Sequence, residues 1–148
     1  MYSRILVPLD GSPTADLALH HAAVLARLNG ATIVLLHVIE EVRPGFLAAG
    51  QKLLDEAALR LRQGGLVVET VLLESNGERV SVLIAQQALT TQCELVVLGT
   101  HGRRGVDRLL MGSDAEQLAR IAPVPVMLVR QSQSVIVTAT PGQGGTPA

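Results

Sequence analysis

Five short apolar runs recur along this chain, and a helix-length amphipathic segment separates each from the next. The runs are Arg4–Leu9 (RILVPL), Thr32–Val38 (TIVLLHV), Val67–Leu73 (VVETVLL), Leu95–Leu98 (LVVL) and Val126–Val129 (VMLV). Four of them are nearly continuous in apolar residues, as expected of strands covered on both faces. The third carries Glu69 and Thr70, which places it nearer a sheet edge. Strands alternating with helices require right-handed crossovers, and therefore a parallel sheet with helices on both faces. The expected fold is a doubly wound α/β domain.

The intervening segments carry helix punctuation. Ser12 can cap the first helix, with Pro13 in its first position, Asp16 in its first turn and Gly30 as its stop. Its expected inward stripe is Leu17, Ala18, His21, Ala22, Leu25 and Leu28. A second helix runs from about Phe46 to Gln63, with Phe46, Leu53, Leu54, Ala57 and Leu61 inward and Gly64-Gly65 ending it. A third runs from about Arg79 to Gln92 on Val80, Leu83, Ile84 and Ala88. The fourth opens at Ser113, turns Ala115, Leu118, Ala119 and Ala122 inward, and stops before Pro123. One domain, residues 1–130, accounts for all of this. Residues 131–148 form an extension in which Val135–Ala139 can make a sixth strand and Pro141–Ala148 is rich in Gly and Pro.

Composition removes several function classes. No apolar run approaches the ~20 residues of a spanning helix. Arg4 and Asp10 arrive too early for a signal-peptide core, so a cytoplasmic location is expected, with no membrane partner. The net charge of −1 gives no global attraction to nucleic acid. Tyr2 and Phe46 are too few for base-stacking platforms. Lys52 is the single lysine and lies outside any G-x-x-x-x-G-K-[ST] loop. Cys93 is the single cysteine, which excludes an intramolecular disulfide; preceding a buried strand, it reads as a structural thiol. His20 and His21 are about 100° apart on one helix and do not readily share a metal. His37, in a central strand, reads as a satisfied core histidine.

In open parallel sheets a ligand binds beyond the carboxyl ends of the strands, where the strand order reverses. Two segments qualify. One is Asp10-Gly11-Ser12 after the first strand. The other is Gly99-Thr-His-Gly102-Arg-Arg-Gly105 after the fourth, continuing to Gly112-Ser113 at the opening of a helix. Glycines admit an anion to backbone N–H groups, and a helix start adds further N–H groups and a positive dipole end. Such a stretch is a candidate phosphate site built from backbone, although tight βα turns also use glycines.

The spacing Gly99-x2-Gly102-x9-Gly112-Ser113 resembles the G-x2-G-x9-G-[ST] nucleotide-binding signature of the universal stress proteins. The resemblance covers about residues 3–130 and includes ILVPLDGS, LLHVI, VVLGTHG and APVPVMLVR. It implies a five-stranded sheet in the order 3-2-1-4-5, which periodicity alone does not distinguish from 2-1-3-4-5. It implies ATP, or AMP or ADP, as ligand, with Asp10 near the ribose and adenine. Pro8 and Leu9 would flank the base, Val38 would contact it, and Leu98 would lie beneath. Gly99, His101 and Gly102 would wrap the phosphates, and Gly112 and Ser113 would receive them. A homodimer is also implied, meeting along the edge strand 126–129; the tail 135–139 is placed to cross to the partner or cover that edge.

Asp114 departs from the pattern, since many ATP-binding relatives carry a small or apolar residue there. An acid in the first turn stabilises its own helix by ~0.3–1 kcal/mol. At this position it would also repel a triphosphate, or hold Mg2+ against one. Arg103, Arg104 and Arg108 read as a solvated or subunit-facing cluster rather than a phosphate clamp. The expected role is a dimeric stress-response sensor or adaptor that binds adenine nucleotide. The alternatives are a slow ATPase or adenylating enzyme on a related fold, or a member without nucleotide. Against the enzyme stand the absence of S-G-G-x-D-S and G-x-S-x-G motifs.

Overall fold

The computed structural model describes residues 2–100 and 113–130. Its elements follow in the order β1 (Arg4–Pro8), α1 (Pro13–Asn29), β2 (Thr32–Ile39), α2 (Phe46–Gln63), β3 (Val68–Glu74), α3 (Val80–Thr90), β4 (Leu95–Gly99), α4 (Ser113–Ile121) and β5 (Val126–Val129). The strands form one five-stranded sheet in the order β3-β2-β1-β4-β5. Every pairing is parallel. The expected doubly wound sheet is therefore present, with the order that the resemblance implied. No helix among the described residues is long and apolar enough to cross a membrane.

Alternation along each strand divides the core into two layers. Ile5, Val7, Ile33, Leu35, Leu95 and Val97 point toward α1 and α2. Leu6, Val34, Leu36 and Val96 point the other way, onto Ile84 and Ala88 of α3 and Leu118 of α4. Burying each valine, leucine or isoleucine among them contributes about 1.5–3 kcal/mol. Cys93 lies within the second layer and is buried, as a structural thiol should be. Burial pushes its pKa up, away from reactive thiolate chemistry.

The helix caps follow the sequence signals. Ser12 Oγ accepts from the Ala15 N–H at 3.2 Å, and Gly30, at φ +68°, donates its N–H to the Ala26 carbonyl. The inward stripes differ in part. In α1 the buried residues are Thr14, Ala15, Ala18, Leu19, Ala22, Ala23 and Ala26, whereas His21 is exposed and Leu28 is 78% exposed. The helix lies so close to the sheet that alanines, with Leu19, fill most of the contact. Phe46, expected inward on α2, is 44% exposed because it opens the helix beyond the strand ends; Gly50 and Ala58 join the buried set instead. On α4, Ala119 is exposed, leaving Ala115 and Leu118 as its buried pair.

The two sheet edges are unlike. β3 presents Glu69, which a two-bonded ion pair ties to Arg4 of β1 at 2.7 and 3.1 Å. β5 presents only Val, Met and Leu, with Met127 36% exposed. A charged edge resists pairing with another chain, and an uncharged one permits it.

Candidate functional site

The chain runs outward from β1 through β2 to β3, then returns to place β4 on the other side of β1. Crossovers therefore diverge between β1 and β4, and a cleft of about 340 Å³ opens at that point. Its walls are Pro8, Leu9, Asp10, Ser12 and Ala15 from the β1–α1 segment, Leu36, Val38 and Glu40 from β2 and its exit, and Leu98 and Gly99 from β4. Val80 and Ile84 of α3, with Ser113, Asp114 and Ala115 of α4, complete it.

Of the residues the sequence singles out, Pro8, Leu9, Asp10, Val38, Leu98, Gly99, Ser113 and Asp114 all line this one cleft. His101, Gly102 and Gly112 lie outside the described residues, as do Arg103, Arg104, Arg108 and the tail 135–139. Ser12, read from sequence as a cap, is both a cap and part of the wall. Val80 and Ile84 were legible as inward positions on α3, but helix periodicity does not say which end of a helix meets a cleft. Glu40 carried no signal beyond its place just after a strand.

Each loop that builds the cleft is fixed by a short-range bond. Asp10 is exposed, and one of its carboxylate oxygens, Oδ1, accepts from the Ser12 N–H at 2.9 Å. One oxygen thus orders the α1 start, while the residue lines the cleft. Gly99 is required by close approach: a Cβ there would stand 2.5 Å from the Thr14 carbonyl oxygen and 2.9 Å from the Ala15 nitrogen. Beyond it, the Thr100 N–H donates to the Val129 carbonyl at 2.9 Å and holds the end of β4 to β5. Buried Ser81 of α3 donates its hydroxyl to Gln117 Oε1 of α4 at 2.5 Å, which ties together the two helices above the cleft.

Asp114 is half-buried in the first turn of α4, and its Oδ1 lies 4.0 Å from an Arg79 guanidinium nitrogen. Arg79 precedes α3 and was not anticipated as a partner. Both side chains are about half exposed, so the pair contributes under ~1 kcal/mol. It nevertheless puts a cation beside the acid at the cleft's helix-start end. Among the described residues, no three or more His, Cys, Asp or Glu side chains gather as a metal cluster.

The backbone of β2 has a readable phase. The Thr32 N–H donates to the Ser3 carbonyl and the Leu9 N–H to the Leu36 carbonyl, at 2.9 and 2.8 Å. The Ile33 N–H donates to the Val67 carbonyl, and the Ser75 N–H to the Ile39 carbonyl, both at 2.9 Å. Even-numbered residues of β2 thus turn their peptide groups toward β1 and odd-numbered ones toward β3. Val38 is even, and β1 has ended before reaching it. Its N–H and C=O face the side on which the cleft opens.

A model of the universal stress protein family matches residues 1–130. The chain belongs to that family. Among curated relatives, a universal stress protein of Thermus aquaticus is 31% identical over 140 residues, spanning 88% of this chain and all of the relative. A solved structure of a universal stress protein family member from Burkholderia pseudomallei is 33% identical, with a TM-score of 0.70 over 86% of this chain and 95% of that one. The universal stress protein of Archaeoglobus fulgidus, solved in complex with dAMP, is 25% identical, with a TM-score of 0.71 over 86% of this chain and 98% of that one.

Proposed function

We propose that this universal stress protein binds an adenine nucleotide in the cleft between β1 and β4, and that it works as a dimeric sensor or adaptor in the stress response. The observation that carries the reading is the convergence of eight sequence-selected residues on one cavity at the switch point. Its volume of about 340 Å³ lies within the range of small-molecule sites. The dAMP complex of the Archaeoglobus relative supports the ligand class.

The chemistry of the walls fits such a ligand. Pro8, Leu9, Val38 and Leu98 offer an aliphatic slot for a purine, in a protein with almost no aromatic residues. The Val38 N–H and C=O present a donor and an acceptor side by side, complementary to N1 and the exocyclic amine of adenine. Asp10 retains a second carboxylate oxygen that can accept from ribose hydroxyls. Ser113 and the first turn of α4 offer N–H groups and a positive dipole end to phosphate. Gly99, His101, Gly102 and Gly112 complete the phosphate side in this reading. Asp114 brings a carboxylate to that end of the cleft, which suits a Mg2+ ion held by one acid and the phosphates themselves.

The dimer in this reading forms through β5, the uncharged edge, by antiparallel pairing about a two-fold axis, with residues 135–139 reaching across. Calorimetric titration with ATP, ADP, AMP and GTP tests the ligand assignment. Saturable binding of the adenine nucleotides is expected. Absence of binding by all three, or tighter binding of GTP, would overturn it.

A further inference from the structure

The backbone phase of β2 makes a particular bond the next one due between β1 and β2. After the Leu9 N–H has donated to the Leu36 carbonyl, the Leu9 carbonyl should accept from the Val38 N–H. It accepts instead from a side chain: His37 Nδ1 lies 2.8 Å from the Leu9 oxygen. A carbonyl oxygen only accepts, so Nδ1 carries the proton and Nε2 of the neutral ring is bare. The ring is fixed from its other side by α2, where Gly50 passes so closely that a Cβ would stand 2.8 Å from His37 Cδ2.

We propose that His37 is a positioning residue of the base subsite: its ring takes the Leu9 carbonyl out of the β1–β2 ladder and so leaves the Val38 amide free to read the purine edge. The inference rests on the adenine-nucleotide reading above. Its chemical content is selectivity. With the Leu9 carbonyl held by His37, the Val38 N–H can donate to a base nitrogen acceptor and the Val38 carbonyl can accept from an exocyclic amine. Hypoxanthine presents the reverse pair, an oxygen acceptor and an N–H, and leaves both Val38 groups facing like partners. Without the ring, the Leu9 carbonyl would recapture the Val38 N–H, and the base would lose its donor.

The test compares ATP with ITP in calorimetry for the parent, His37→Leu and His37→Asn. The asparagine amide nitrogen can stand close to where Nδ1 stands and can donate to the Leu9 carbonyl. The parent should prefer ATP, His37→Leu should lose about tenfold in ATP affinity together with the preference, and His37→Asn should recover the preference. A folded His37→Leu that keeps the preference, or a folded His37→Asn that does not recover it, overturns the proposal. A parent that binds neither nucleotide refutes the ligand assignment instead. Nitrogen NMR of the unsubstituted protein gives an answer independent of variant folding. A protonated Nδ1 with a bare Nε2 supports the role, and a bare Nδ1 overturns it.

Discussion

Replacing Gly99 by alanine tests how the cleft is built. The new Cβ would lie 2.5 Å from the Thr14 carbonyl oxygen, 2.6 Å from its carbon and 2.9 Å from the Ala15 nitrogen. Ordinary contact begins near 3.4 Å, so α1 or the end of β4 must retreat by about 0.9 Å. The obstructing atoms are backbone in the first turn of a helix and cannot rotate aside. Overpacking of this kind costs about 1–3 kcal/mol. In a chain of this length that lowers Tm by about 2–12 °C. The displaced turn carries Ser12 and Ala15, which line the cleft, so ATP affinity should fall as well. Gly65→Ala is the control. At φ +91°, with nothing within 4 Å of the new Cβ, it adds backbone strain of about 1–2 kcal/mol far from the cleft, with ATP affinity unchanged. Urea denaturation and calorimetry would measure both variants. A Gly99→Ala protein as stable as its parent, with unaltered affinity, would refute the close-approach argument.

Three further outcomes follow from the same geometry. Asp114→Ala should tighten ATP more than AMP by about fivefold without Mg2+ if the acid repels phosphate, and should weaken Mg-ATP selectively if it holds the ion; equal small effects in calorimetry would leave it only its helix-dipole and Arg79 roles. Truncation after Arg130 should raise the dimer dissociation constant in sedimentation while nucleotide affinity stays largely intact, and an unchanged constant would remove residues 135–139 from the interface. Acid should weaken the fold through two carboxylates held below their usual range: Glu69 chiefly by the hydrogen bond from Arg4, and Glu94 by the backbone N–H groups of Ser3 and Arg4. Their contribution is complete above the usual carboxylate range and is lost as pH falls through the depressed folded values, so stability measured from about pH 7 to about pH 3 should decline, less steeply in Glu69→Gln.

The legible part of this protein was the part set by backbone chemistry. Apolar runs gave the five strands within a residue or so at each end, and the boundaries of α2 were read correctly from Phe46 to Gln63. The position of the cleft was equally legible, because strand ends at a switch point converge whatever their side chains; Asp10, Leu98 and Gly99 line it for that reason. The strand order was not available from periodicity, which is the same for either permutation, and came from the resemblance. Packing depth was harder. Leu28 and Phe46 are apolar and exposed, while five alanines of α1 are buried, because the distance between helix and sheet decides which size fits and no single helix states that distance. Arg79 and the His37–Leu9 bond join elements far apart in sequence, and no local spacing encodes either pair.

Backbone amide NMR of the labelled protein during ATP titration reads directly whether an adenine nucleotide occupies the cleft between β1 and β4. The Val38, Gly99, Ser113 and Asp114 amides should shift together, saturably and with one dissociation constant, while amides along β3 stay still. Saturable shifts confined to other surfaces, or none at all at ATP concentrations well above those in cells, would contradict it.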